Sequence, residues 1–259
     1  RPALGDGLAL LTWVTSFPDN SARGLPVVRG EVLLSDAETG EELAVIECAS
    51  VTSLRTGAAA AVSAQVLAAE GAATVGIIGC GVNGAWAARC LAGAGYGPGV
   101  CADPRVDPAE ALADELGWRA GDRGEAAVQD VVVAVTPGEE PVILDGDLRP
   151  GQHFAVLGAD AHGKQEVDLA AIERCRLFCD EWEQASAGGE LANGVDARLI
   201  GREQVTQIGD VLNGAPGRSS EGEITLFDST GLAIQDLAIC KAVYESWRRG
   251  EVEAPVVTL

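Results

Sequence analysis

Gly79-Cys80-Gly81-Val82-Asn83-Gly84, placed directly after the apolar run Val75-Gly76-Ile77-Ile78, constrains this chain more than any other segment. Glycines in a Gly-x-Gly-x-x-Gly spacing between a strand and a helix permit a tight turn and let backbone N–H groups approach a pyrophosphate. The positive end of the helix stabilises the same anion. Asp103 lies 24 residues after Gly79, at the end of the next apolar run, Gly99-Val100-Cys101-Ala102. A carboxylate there accepts a hydrogen bond from a ribose 2′-hydroxyl and repels a 2′-phosphate. Together these contexts predict a Rossmann-type dinucleotide-binding domain that holds NAD through Gly79, Gly81, Val82, Asn83, Gly84 and Asp103. Arg105 is the one nearby residue that argues for NADP; its alternative identity is a solvated turn residue. For the motif as a whole the alternative is a strand–helix turn without a ligand.

The rest of the chain is read from periodicity and punctuation. Up to about residue 50 it reads as strands, with Val27 to Leu34 and Leu43 to Cys48 flanking the turn cluster 36–40 as a hairpin. An alanine-rich helix is expected from about Leu54 to Ala69, before Gly71. From Thr74 the pattern alternates: strands at 75–78, 99–102 and 130–135, and helices from about 83 to 94 and 108 to 116. That rhythm predicts a parallel sheet, extended by the apolar runs 154–157 and 177–179. Ile224 to Phe227 and an apolar-periodic helix from about Ala233 to Arg248 carry no nucleotide signature, and are expected to return onto the first segment. The fold class is therefore α/β. A Rossmann-type domain, residues 57–223, is joined to a smaller α/β domain made from both chain ends, residues 1–56 with 224–259.

Composition bounds the partners. The chain has 39 acidic and 18 basic residues among 259, a formal charge of −21, so nucleic acid and anionic lipid are not expected to bind. No run of uncharged apolar residues is long enough to span a bilayer, and the first residues lack a signal-peptide layout; a cytoplasmic location is expected. The seven cysteines form no Cys-x-x-Cys pair and mostly sit in apolar runs, as reduced core residues do. The two histidines, His153 and His162, form no ligand spacing with them, so no metal is expected. The chain contains no methionine, and upstream sequence is expected before residue 1.

Further segments carry a resemblance. Val51-Thr52-Ser53-Leu54-Arg55-Thr56-Gly57-Ala58, Trp13 to Asn20 and Arg23 to Pro26 resemble the ornithine cyclodeaminase/mu-crystallin family. Val156 to Glu166 is similar to its Gly-x-Asp-x-x-Gly-Lys-x-Glu motif, and Glu223 to Gly231 with Gln235-Asp236 to its C-terminal signature. The similarity covers essentially the full length, in order. It implies a homodimer in which the terminal segments form a substrate and dimerisation domain. It also implies that Arg55 clamps the carboxylate of a small amino or imino acid, as suits a planar guanidinium. Asp160 would move a proton at the substrate nitrogen as hydride leaves the α-carbon. Thr136, Gly158, Ser229, and with them Asp228 and Thr230, would border the cofactor. Read without the resemblance, Arg55 is a surface ion pair, Asp160 a helix N-cap, His162 a polar loop residue and Lys164 a loop brace.

The resemblance departs at Thr12, where the family carries a lysine in substrate binding. A threonine hydroxyl hydrogen-bonds but carries no charge. The family's other first-domain contacts, an arginine and an acid, would lie upstream of residue 1. The activity implied is an NAD-dependent amino-acid dehydrogenase or imine reductase. The alternatives are a cyclodeaminase of the ornithine or lysine type, in which hydride returns internally, and a non-catalytic NAD(P)H-binding protein of the mu-crystallin sort.

Overall fold

The computed structural model describes residues 2–138, 140–159 and 161–256. They divide into two compact units, one formed by the described residues up to 55 and from 231 onward, the other by residues 56–230. In the terminal unit, β1 (Pro2–Gly5), β2 (Leu8–Ser16), β3 (Val28–Asp36) and β4 (Glu42–Glu47) form an antiparallel sheet in sequential order. The expected hairpin is β3 with β4, whose register pairs Val32 with Ile46 and Leu34 with Ala44. Side chains alternate across the sheet: Leu10, Thr12, Val32 and Leu34 are buried, while Leu11, Trp13, Leu33 and Val45 point outward. Register aligns Pro2, Leu11, Leu33 and Val45 in one row across all four strands.

Helix α1 (Cys48–Leu67) begins six residues before the expected start. The cause is Glu47, whose carboxylate accepts from the N–H groups of Ala49 and Ser50 at 2.7 and 2.8 Å and so starts the helix where the strand ends.

The larger unit is built on β5 (Val75–Ile78), α2 (Val82–Gly93), β6 (Gly99–Ala102), α3 (Val106–Leu116), β7 (Arg119–Ala120), α4 (Arg123–Ala127), β8 (Val131–Ala134), β9 (His153–Val156), α5 (Leu169–Ile172), β10 (Arg176–Cys179), α6 (Trp182–Gly188), α7 (Leu191–Asp196), β11 (Val205–Gln207), α8 (Ile208–Leu212) and β12 (Thr225–Asp228). Its eight strands lie in the order β11-β10-β12-β9-β8-β5-β6-β7, every pair parallel. Both faces are covered, so strands read as unbroken apolar runs. Along β8, Val132 and Ala134 enter one core, and Val131 and Val133 the other. His153, at the start of β9, is fully buried between the hydroxyls of Ser63 and Thr225, each at 3.0 Å. Burial, and secondarily the Arg218 charge, push its imidazole down to about 3, so it is neutral.

One boundary is corrected. Residues 224–230 were expected in the terminal domain, but β12 pairs with β9 and β10 inside the parallel sheet and belongs to the larger unit. A buried strand of four residues carries no mark in its sequence of which sheet it will join. The last element, α9 (Ala233–Arg248), packs on the inner face of the antiparallel sheet: Leu237 and Cys240 share a core with Leu10, Val32, Leu34, Cys48 and Val51. No helix among the described residues is long and apolar enough to cross a membrane.

Candidate functional site

Parallel pairing in register brings the carboxyl ends of six strands to one edge: Ile78 faces Ala102 and Ala134, Ala134 faces Val156, Val156 faces Asp228, and Asp228 faces Cys179. The next residues in each segment are Gly79, Asp103, Val135-Thr136, Leu157-Gly158, Ser229 and Asp180. Strand order reverses between β5 and β8, and this switch point is where open α/β sheets hold ligands.

The glycines of the loop have different reasons to be glycine. Gly79 has φ +96, and a Cβ there would lie 2.5 Å from the Val135 carbonyl oxygen; one at Gly84 would lie 1.8 Å from the Gly79 carbonyl oxygen. A Cβ at Gly81, by contrast, meets no atom within 4 Å. Gly81 is the N-cap of α2 and makes no side-chain cap, so the open space beside it adjoins N–H groups at the start of a twelve-residue helix. Val82 is exposed and Asn83 half-buried on that first turn.

Asp103 is held from two sides. Its Oδ2 accepts from the Cys80 N–H at 2.9 Å, and Arg105 lays its guanidinium along the carboxylate, Nε to Oδ1 at 2.9 Å and Nη2 to Oδ2 at 3.1 Å. Burial alone pushes this carboxyl up, but the Arg105 and Cys80 hydrogen bonds outweigh it, and Asp103 lies below the usual carboxylate range. Arg105 itself is largely exposed.

The neighbouring loops are tied by a buried carboxylate. Glu166 accepts from the Thr136 N–H at 2.5 Å and the Gly158 N–H at 2.7 Å, joining the segments that follow β8 and β9. Glu190 accepts in turn from the N–H groups of Glu166 and Val167, both at 2.8 Å. Burial raises both carboxyls, Glu190 to about 8. Asp180 accepts from the hydroxyls of Ser229 at 3.1 Å and Thr230 at 3.0 Å. Asp228 is fully buried and, by that burial, raised well above the usual carboxylate range. Among the described residues, two buried oxygens at this edge have no hydrogen-bond partner, Thr136 Oγ1 and Asp228 Oδ1. A buried polar atom left unpaired costs about 1–3 kcal/mol, which a ligand's hydrogen bond would recover.

In the terminal unit, Thr12 and Arg55 converge on Asp236. The Thr12 hydroxyl donates to Asp236 Oδ2 at 3.1 Å, and Arg55 Nε lies 3.5 Å from Oδ1. Arg55 is thus no exposed ion pair, since its side chain is 13% exposed. Asp160 lies outside the described residues. His162 is exposed in a turn, and Lys164 reaches the Gly158 carbonyl at 3.5 Å with its charge lowering Glu166. Glu190, Asp180 and Asp236 are organising residues that no spacing rule singles out; of the three, only Asp236 stands in a segment that carries the family resemblance. Among the described residues no cluster of His, Cys, Asp or Glu has the arrangement of a metal site.

The chain matches the model of the ornithine cyclodeaminase/mu-crystallin family over residues 2–93 and 109–251. It is 40% identical over 256 residues to the alanine dehydrogenase of Archaeoglobus fulgidus, covering 95% of this chain and 79% of that protein. The solved structure of an archaeal alanine dehydrogenase dimer with bound NAD superposes with TM-score 0.93 at 38% identity, over 100% of this chain and 83% of that one. The iminosuccinate reductase of Paracoccus denitrificans in complex with NAD+ superposes with TM-score 0.88 at 31% identity, over 97% of this chain and 80% of that one.

Proposed function

The chain belongs to the ornithine cyclodeaminase/mu-crystallin family, and from that premise we propose that it is an NAD-dependent oxidoreductase acting on the carbon–nitrogen centre of a small L-amino or imino acid. The observation that carries this reading is the open cradle at Gly81, with no packing reason to be glycine, next to a carboxylate preset for a ribose. NAD fits the residues present. The N–H groups at the start of α2 would take the pyrophosphate, Asp103 the ribose and the buried Thr136 hydroxyl a further polar group of the cofactor. Gly158 and Ser229, held by Glu166 and Asp180, would border it.

Bound NAD supplies the hydride acceptor or donor. The chain's own groups do the rest. Arg55 binds the substrate carboxylate through its planar fork, fixing the α-carbon. Asp160 holds or releases the proton at the substrate nitrogen, a role that rests on the motif it stands in. Arg55→Ala is expected to raise KM by about 100-fold, the loss of a charge-assisted bidentate contact.

The test is reduced-nicotinamide absorbance on mixing protein and NAD+ with L-alanine, ornithine, lysine, glutamate and aspartate, with ammonia assayed in parallel. Accumulating NADH with one amino acid supports the dehydrogenase reading and identifies its substrate. Ammonia without NADH means a cyclodeaminase, and silence in both, with NADH still bound, means a binding protein.

Two finer readings accompany this one. The outward row of Leu11, Leu33 and Val45, with Trp13 at 71% exposure, is an apolar face of the kind that two copies bury together. A homodimer is expected, and Trp13→Arg with Leu33→Arg should yield a monomer by light scattering. A cytoplasmic location accords with seven free cysteines.

A further inference from the structure

Thr12, Arg55 and Asp236 come from β2, α1 and α9 and meet inside the terminal unit. Side-chain exposure is 13% for Arg55 and 7% for Asp236, and Thr12 is 5% exposed. Each oxygen of Asp236 faces a different partner, Oδ2 the Thr12 hydroxyl and Oδ1 the Arg55 Nε. Asp236 also lies in the first turn of α9, where the helix dipole favours an anion. Nearby, Cys48 and Cys240 stay protonated, first by burial, and the Asp236 charge adds to this. Gly231 completes the arrangement. Its φ is +82, and a Cβ there would lie 2.3 Å from Arg55 Nη1 and 2.5 Å from Cζ, so the guanidinium rests flush on its backbone.

We propose that Asp236 is the positioning residue for Arg55, and that Thr12 acts on substrate binding through it: Thr12, Asp236 and Arg55 form one chain that sets the plane of the guanidinium fork. This rests on the reading of Arg55 as the carboxylate clamp. Arg has a rigid planar head on a stem with several rotatable bonds, and engaging Nε fixes the head's rotation. A fork already oriented loses less freedom when a carboxylate binds. The hydroxyl at position 12 then has a specific task. It donates to Asp236, whereas a lysine there would bring a second cation to the same carboxylate and compete with Arg55 for it.

The experiment uses the full chain loaded with NADH, titrated calorimetrically with pyruvate and with oxaloacetate as 2-oxo acid probes. NADH affinity is measured separately by its fluorescence. Asp236→Asn keeps the shape but removes the charge, and is expected to weaken probe binding about tenfold, with Thr12→Val weakening it about threefold. NADH affinity should not change for either. In Asp236→Asn combined with Arg55→Lys, the loss should not exceed that of Arg55→Lys alone, because residues acting as one unit are not additive. A purely structural role would lower the melting temperature and produce additive losses. Unchanged probe affinity in Asp236→Asn, or additive losses, overturns the inference while leaving the clamp intact. Unchanged affinity in Arg55→Lys, or a native protein that binds neither probe, removes the clamp and the inference with it. Should Asp236→Asn fail to fold, Thr12→Val combined with Arg55→Lys decides by the same criterion.

Discussion

A methyl group at position 84 would sit 1.8 Å from the Gly79 carbonyl oxygen, while at position 81 it would touch nothing within 4 Å. Gly84→Ala is therefore expected to destabilise the fold by at least about 1–3 kcal/mol, since backbone must move. Gly81→Ala, at an N-cap with ordinary φ of −70, should change stability by only a few tenths of a kcal/mol, about the size of a cap effect. Yet it should weaken NADH binding, because the methyl fills the cradle. Melting curves and NADH fluorescence titrations on the two variants separate these outcomes, and a Gly81→Ala protein with native NADH affinity would remove the cradle from the cofactor site. Arg105 offers a second contrast. Its guanidinium neutralises Asp103, so Arg105→Ala leaves that charge bare against a 2′-phosphate, and the ratio of NADPH to NADH dissociation constants should rise about tenfold. An unchanged ratio means Arg105 has no part in cofactor choice. The motif residues were legible in the sequence because their spacing encodes a local turn. The partners of Arg55 were not, since Asp236 lies 181 positions away and a contact of that range leaves no local pattern.

Among the elements, β9 carries a titration that a stability measurement can read. His153 has a folded-state value of about 3 against an ordinary 6.5, so between these limits the unfolded chain binds a proton that the folded one does not. Its contribution is intact above about pH 6.5 and is lost as pH falls, by about 1.4 kcal/mol per pH unit. The difference in unfolding free energy between native protein and His153→Asn should shrink with that slope from pH 6.5 to 5 in urea titrations. A difference independent of pH would mean that His153 is charged in the fold. The parallel strands were readable as apolar runs because both faces are covered. The start of α1 was not, because its first N–H groups are capped by a glutamate that also ends β4. Nor was β2 explicit: Leu8 to Ser16 shows no polar–apolar alternation, since its outer face carries Leu11 and Trp13.

At the scale of the whole molecule, a charge of −21 on 259 residues acts as self-repulsion in the compact state. Salt shortens the reach of that repulsion from about 30 Å at 10 mM to about 3 Å at 1 M. The melting temperature of the native protein is expected to rise by several degrees over that range of sodium chloride, and a flat response would show the acids to be locally compensated. Overall α/β class and the return of the C-terminal helix to the first segment follow from the alternation of runs, whereas the exact return point at residue 231 depends on which sheet a four-residue strand joins. The all-parallel sheet has a consequence in time. None of its neighbouring strands is joined by a hairpin; β12 finds β9 across 72 residues and β10 across 49. Such non-local pairings form slowly. The nucleotide edge, which draws on segments from Gly79 to Ser229, is then among the last features this sheet acquires, and the ability to bind the dinucleotide reports that its distant strands have paired.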